Sequence, residues 1–233
     1  MLRAVLHIIS DRQRHALALE DALLESAQGG ADFLQIRQKK APAAETHDLV
    51  RSLQARLAER AAKARILIND RVDIALATDA AGVHLAAKSL PIEAAVTLRA
   101  RCTWQGLIGC SVHALDEALA AQAQGVDYVT YGHVFSTQSH SGIAPRGVTE
   151  LAEIVERLRI PVIAIGGITA ENVDAVLQTG CSGIAVIGAI LERRDPRAAT
   201  AALIERMERC AVRPRAAFSR RIDTRGSKDG KDV

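Results

Sequence analysis

The chain has 233 residues, 48% hydrophobic and 24% charged, enough apolar material for a sizeable core in one large domain or two small ones. Aromatic residues are only 3%, which supplies stacking platforms for single-stranded nucleic acid poorly and argues against such a partner. The net charge of +3 comes from residues 212–233, where seven basic residues face three acidic ones; subtracting that +4 from the total leaves the body at −1.

Taken from the N-terminus, Arg3 precedes the run AVLHII, too short for a signal-peptide core and followed at once by Ser10-Asp11-Arg12. No run approaches the roughly 18 apolar residues that a membrane span needs. The four cysteines, Cys102, Cys110, Cys181 and Cys210, are scattered without disulfide or zinc-ligand spacing. The expectation is a cytoplasmic protein with no membrane partner.

Short apolar runs then alternate with longer amphipathic segments. The predicted strands are Ala4–Ile9, Phe33–Arg37, Arg65–Ile68, Gly82–Leu85, Gly106–Cys110, Tyr128–Tyr131, Pro161–Ile165 and Gly183–Ile187. Helical patterns fall between them, at Ala43–Lys63, Pro91–Ala100, Ala114–Gln124, Val148–Arg157, Ala170–Gln178 and Pro196–Cys210. Gly29-Gly30, Gly125 and Gly180 each follow a helical stretch, where a left-handed cap is wanted. Strands alternating with helices predict βαβ units and a parallel sheet. Eight strands in this length fit an α/β fold of the (β/α)8 TIM-barrel type, a single domain over residues 1–211; a doubly wound open sheet is the alternative. Residues 212–233 are polar and read as a disordered basic tail, either solvated or binding an acidic partner.

In a barrel, chemistry sits at the C-terminal ends of the strands. QIRQKK brings Gln35, Arg37 and Lys39 there after the second strand; an interior guanidinium at Arg37 suits an anion or carboxylate, whereas Lys39-Lys40 also read as solvated charge. Asn69 and Asp70 end the third strand, where Asp70 can cap a helix, ligate a metal or orient a polar neighbour. Ser111 follows the fifth. IAIGGITAEN and AVIGAI place Gly166, Gly167, Ile187 and Gly188 after the last two strands, as tight turns or as a backbone phosphate site. The loop Tyr131–Gly147, YGHVFSTQSHSGIAPRG, is long for a compact domain and carries two histidines. His133, at a strand end facing the glycines, is a candidate acid/base, against a structural role; His140 is solvated or gates the substrate.

These motifs, in the order QIRQK, NDRVDIAL, GVHL, G-x-S-V-H, YGHVFSTQSHSG, PVIAIGGI and GIAVIGAI, resemble the thiamine-phosphate synthase and thiazole tautomerase superfamily from Leu6 to Cys210. The resemblance implies the same barrel, a thiazole phosphate as small-molecule partner and a homodimer. The synthase couples an aminopyrimidine methyl pyrophosphate to a thiazole phosphate with magnesium, and the chain is similar to it at Gln35, Arg37, Lys39, Asn69, Asp70 and Ser111. Where the synthase carries a second acid after GVHL, this chain reads Ala86-Ala87-Lys88-Ser89. Where the synthase has Gly-Pro and a later lysine in the long loop, this chain has His133 and His140. Loss of a carboxylate and gain of a lysine argue against a metal ion, and the histidine at the loop start resembles the tautomerase branch. The resulting expectation is a metal-independent, cofactor-free thiazole tautomerase with His133 as the proton-transfer group. The alternatives are the magnesium-dependent synthase and a non-catalytic regulatory barrel.

Overall fold

A computed structural model describes residues 3–138 and 142–218. Its eight strands are β1 (Val5–Ile9), β2 (Phe33–Ile36), β3 (Arg65–Asn69), β4 (Gly82–Leu85), β5 (Leu107–Val112), β6 (Tyr128–Gly132), β7 (Val162–Ile165) and β8 (Gly183–Val186). They pair in sequence order, all parallel, and β8 returns to β1, closing the barrel. The open-sheet alternative is thereby excluded, because any open sheet ends in two edge strands and here every strand is paired on both sides.

The strands were visible as apolar runs because a parallel strand inside a helical jacket is covered on both faces. Side chains alternate. Leu6, Ile8, Leu34, Ile36, Ile66 and Ile68 point outward into the layer shared with the helices. Ile9, Phe33, Leu67, Leu107, Tyr128, Ile163 and Ala185 fill the interior as a second apolar cluster. Gly109 makes room for the largest of these: a Cβ there would stand 2.1 Å from the Tyr128 ring.

Helices follow the strands: α1 (Leu19–Gln28), α2 (Ala43–Glu59), α3 (Val72–Ala77), α4 (Ile92–Arg101), α5 (Leu115–Ala123), α6 (Gly147–Arg157), α7 (Val173–Leu177), α8 (Gly188–Leu191) and α9 (Pro196–Glu208). The expected left-handed turns occur at Gly30 (φ +104°), Gly125 (φ +89°) and Gly180 (φ +75°). Gly29 is right-handed and serves packing instead, since a Cβ there would meet the Arg197 carbonyl at 2.5 Å. No helix among the described residues is long and apolar enough to cross a membrane.

Two boundaries differ in ways that matter. β5 runs two residues beyond the predicted Cys110, so Ser111 is a strand residue with a fixed direction, and β2 stops at Ile36, so Arg37 begins the rim loop. Residues 212–218, the first part of the segment expected as a tail, lie against the barrel. Arg215 N–H donates to the Gly180 carbonyl at 2.9 Å and Ser182 Oγ donates to the Ala216 carbonyl at 2.7 Å, drawing this segment across the N-terminal mouth of the barrel. Phe218 follows, its ring 5.5 Å from Phe33, 5.6 Å from Tyr128 and 6.2 Å from His7. Apolar contact from one aromatic residue outweighs the polar composition around it. Residues 219–233 lie outside the described residues.

Candidate active site

The opposite, C-terminal mouth holds a cavity of about 360 Å³. Gln35, Arg37, Lys39, Asn69, Asp70, Ser111, His133, Gly166, Gly167, Ile187 and Gly188 all line it. His140 lies outside the described residues.

On the β2–β3 side, burial dictates a polar chain. Gln35 is 3% exposed and Asn69 9%, so neither amide can be left to water. Gln35 Nε2 donates to Asn69 Oδ1 at 2.7 Å, and Asn69 Nδ2 donates to Asp70 Oδ2 at 2.6 Å. Asp70 takes a left-handed backbone (φ +64°), a conformation Asp tolerates better than most residues. Its Oδ1 accepts from Ser89 Oγ, which in turn accepts from the Ala86 amide at 2.7 Å. Asp70 is therefore an oriented carboxylate. The Arg37 backbone is clasped by Ser10, whose Oγ accepts from Arg37 N at 2.7 Å, and its guanidinium stands 3.6 Å from Asp11. Lys39 is exposed at the rim. These cations make this an anion-attracting end.

The floor carries a second chain that the sequence reading missed. His84, inside GVHL, is 3% exposed; its Nδ1 lies 3.1 Å from Tyr128 Oη and its Nε2 2.9 Å from Ser111 Oγ. Burial pushes the His84 pKa down to about 4, against a smaller upward pull from Asp70, so the ring is neutral near pH 7. Tyr128 sits in an apolar cluster and uses Nδ1 as acceptor for its O–H. Nε2 then carries the proton and donates to Ser111, which turns the Ser111 hydroxyl hydrogen toward the cavity. The signal in the sequence was a histidine at an inward position of a strand, two residues after the inward Gly82.

On the β7–β8 side the wall is backbone. Gly166 (φ +103°) and Gly167 (φ +64°) both need the left-handed region, and neither has space for a side chain. A Cβ on Gly166 would stand 2.3 Å from His133 Cβ, and one on Gly167 2.4 Å from the Ser136 carbonyl. His133 itself is 5% exposed, with Nε2 3.2 Å from the Ile143 carbonyl across the long loop. The loop is held down by Val134 N–H to Ile165 O at 2.8 Å and Phe135 N–H to Gly166 O at 3.0 Å. Arg14, also absent from the sequence reading, reaches the same wall from the β1–α1 loop.

The donor set for a metal ion is small. Among the described residues there is no cluster of three or more His, Cys, Asp or Glu side chains suited to one. Asp70, steadied by Asn69 and Ser89, is the one carboxylate among the described residues lining the cavity. One carboxylate fits a magnesium ion that takes its other ligands from substrate phosphates and water, and does not fit a self-sufficient protein cage.

Comparison with known proteins supplies the family context. The family model described as thiamine monophosphate synthase matches residues 6–190. The chain is 40% identical over 195 residues to a thiamine-phosphate synthase of Pyrococcus furiosus, covering 84% of this chain and 90% of that one. It is 40% identical over 201 residues to the thiamine-phosphate synthase of Chlorobium luteolum, covering 86% and 91%. Among solved structures, the thiamine phosphate pyrophosphorylase of Pyrococcus furiosus superposes with a TM-score of 0.80 at 38% identity, covering 90% of this chain and 98% of that one. A 3-hexulose-6-phosphate synthase at 19% identity and TM-score 0.65 shares the fold alone.

These relatives overturn the expected tautomerase. They are named for a transferase, not an isomerase, and they match over nearly the whole barrel. The departures at Ser89 and His133 carried too much weight in the sequence reading, because a metal ion shared with a diphosphate does not require a second protein carboxylate.

Proposed function

Because the chain belongs to the thiamine monophosphate synthase family, we propose that it joins an aminopyrimidine methyl diphosphate to a thiazole phosphate, releasing thiamine phosphate and pyrophosphate. One observation supports this reading beyond the family name: the cavity is lined by cations at one side and by glycine backbone at another, each suited to an anion. Arg37 and Lys39 stand at one, the glycine backbone of β7 and β8 at the other, and buried amides and a hydroxyl lie between. An enzyme acting on one phosphate ester needs one such end. A condensation of two phosphorylated rings needs both.

The chemistry is a displacement at the methylene carbon. The thiazole nitrogen supplies the electron pair of the new C–N bond, and the pair of the broken C–O bond leaves with the diphosphate. Negative charge therefore concentrates on the departing group, where the Arg37 guanidinium and the Lys39 ammonium stabilise it. A magnesium ion arriving with the diphosphate would be held by Asp70 and would screen the same charge. The Gln35–Asn69 pair and the Ser111 hydroxyl offer donors and acceptors to a heteroaromatic ring at the floor, and the glycine wall seats the second phosphate. Holding both reactants in one closed space removes most of the entropic barrier to their meeting. His133 walls the thiazole side, where its placement suits contact with the second ring.

The test is direct. The purified chain, given both substrates and magnesium, forms thiamine phosphate and an equal amount of pyrophosphate, and a chelator suppresses the reaction. Absence of product with both substrates and magnesium present would overturn the proposal.

A further inference from the structure

The glycine wall offers backbone amides but no formal charge, and a phosphate ester is bound more tightly where a guanidinium adds charge-assisted hydrogen bonds. Arg14 lies against this wall. It comes from the loop of residues 10–18 between β1 and α1, lines the cavity with Gly166, Gly167 and Gly188, and keeps its side chain only 22% exposed. A Cβ built on Gly188 would stand 2.2 Å from an η nitrogen of Arg14 and 2.7 Å from Cδ of Glu192. The guanidinium lies directly over the Gly188 backbone, in the space a side chain there would take.

Two ties hold it there. Arg14 Nε donates to Glu192 Oε1 at 2.5 Å, and Ala16 N–H donates to the Leu191 carbonyl at 2.8 Å. The loop carrying Arg14 is thus fastened to the turn that carries Glu192, immediately after α8. Arg12, two residues earlier, leaves in the other direction to pair with Glu45. An exposed ion pair does little for stability, but here its arginine lines the cavity while Glu192 stands behind it, outside the lining. Its carboxylate sets the direction of a fork that matches phosphate geometry.

We infer that Arg14 is the charged arm of the second anion end: it binds the phosphate of the thiazole substrate and sets the preference for phosphorylated over unphosphorylated thiazole. The inference rests on the synthase reading for the identity of that substrate, while the arm itself rests on Arg14, Glu192 and Gly188.

The full-length Arg14→Met variant tests it. Its KM for the thiazole phosphate rises about thirtyfold, the scale of one lost charge-assisted contact, while its KM for the pyrimidine diphosphate stays within about twofold. Turnover of the unphosphorylated thiazole alcohol is unchanged, and Arg14→Lys falls between wild type and Arg14→Met. An equal loss with both thiazoles, a KM rise on the diphosphate side, or an unchanged KM for the thiazole phosphate would each overturn the inference and leave the synthase reading standing. Calorimetric titration with inorganic phosphate separates the two ideas. If wild type forms no thiamine phosphate, the synthase reading falls, and phosphate binding lost in Arg14→Met still decides for the arm; equal phosphate binding by both proteins decides against it.

Discussion

The two mouths of the barrel use the same eight strands to opposite ends. At the C-terminal mouth the inward residues are polar, linked in chains from Gln35 to Asp70 and from Tyr128 to Ser111, and they open on a cavity. At the N-terminal mouth Phe33, Tyr128 and His7 stack under Phe218, and Arg65 lies 4.8 Å over the Phe33 ring. Each mouth holds a buried histidine, and the contrast between them is instructive. His84 has both nitrogens bonded, whereas His7 Nε2 is buried among the described residues without a partner. The lower mouth contributes stability, and the upper one spends some of it on polar groups held ready for a ligand.

Acid is the broadest way to strain this division. Burial lowers the His7 pKa to about 3, with His84 and Arg65 adding repulsion, and lowers that of His84 to about 4. An unfolded histidine takes up its proton near 6.5. Between these values the unfolded chain binds more protons, so the stabilisation is complete above about pH 6.5 and is lost as pH falls toward 4 and 3. Each histidine adds a slope of at most about 1.4 kcal/mol per pH unit. Thermal unfolding followed from pH 7 to pH 5 shows a falling Tm, and His7→Leu removes about half of that slope; an unchanged slope would refute the contribution assigned to His7.

Arg37→Met attacks the upper mouth alone. Losing a charge-assisted contact to the diphosphate lowers kcat/KM about a hundredfold, with Tm nearly unchanged. Phe218→Ala does the reverse: a partly buried ring is lost at a cost of about 2 kcal/mol, and Tm falls by roughly 6 °C while kcat/KM holds. A large activity loss in Phe218→Ala would show that the two mouths are coupled. Tyr128→Phe is the finest probe, since Tyr128 belongs to both. It removes the donor that fixes the His84 tautomer without emptying the packed ring, so kcat falls a fewfold, about the effect of one neutral hydrogen bond, and Tm moves little.

The barrel and most of its upper rim were legible in the sequence for a single reason. A strand covered on both faces is apolar throughout, and the first polar residues after it mark the rim, so Gln35, Asn69 and Gly166 announced themselves. Arg14 did not, because SDRQRHALAL contains no glycine turn to mark a site and its arginines resemble solvated charge. Phe218 was hidden by its neighbours' polarity. The chemistry was misjudged where Lys88-Ser89 argued against a metal ion and His133 pointed to the tautomerase branch. That the cations after β2 and the glycines after β7 and β8 line one cavity emerges only in the folded barrel.

The segment that seals the lower mouth also has a consequence in time. β1 finds its last neighbour in β8, and the aromatic stack on His7 is completed from residue 218. Synthesis proceeds from the N-terminus, so the first strand emerges with one edge bare and waits for nearly the entire chain. Until then its unpaired amides and carbonyls can pair with other chains. For a newborn copy of this protein, the hazardous interval is set by how quickly β8 and then Phe218 leave the ribosome.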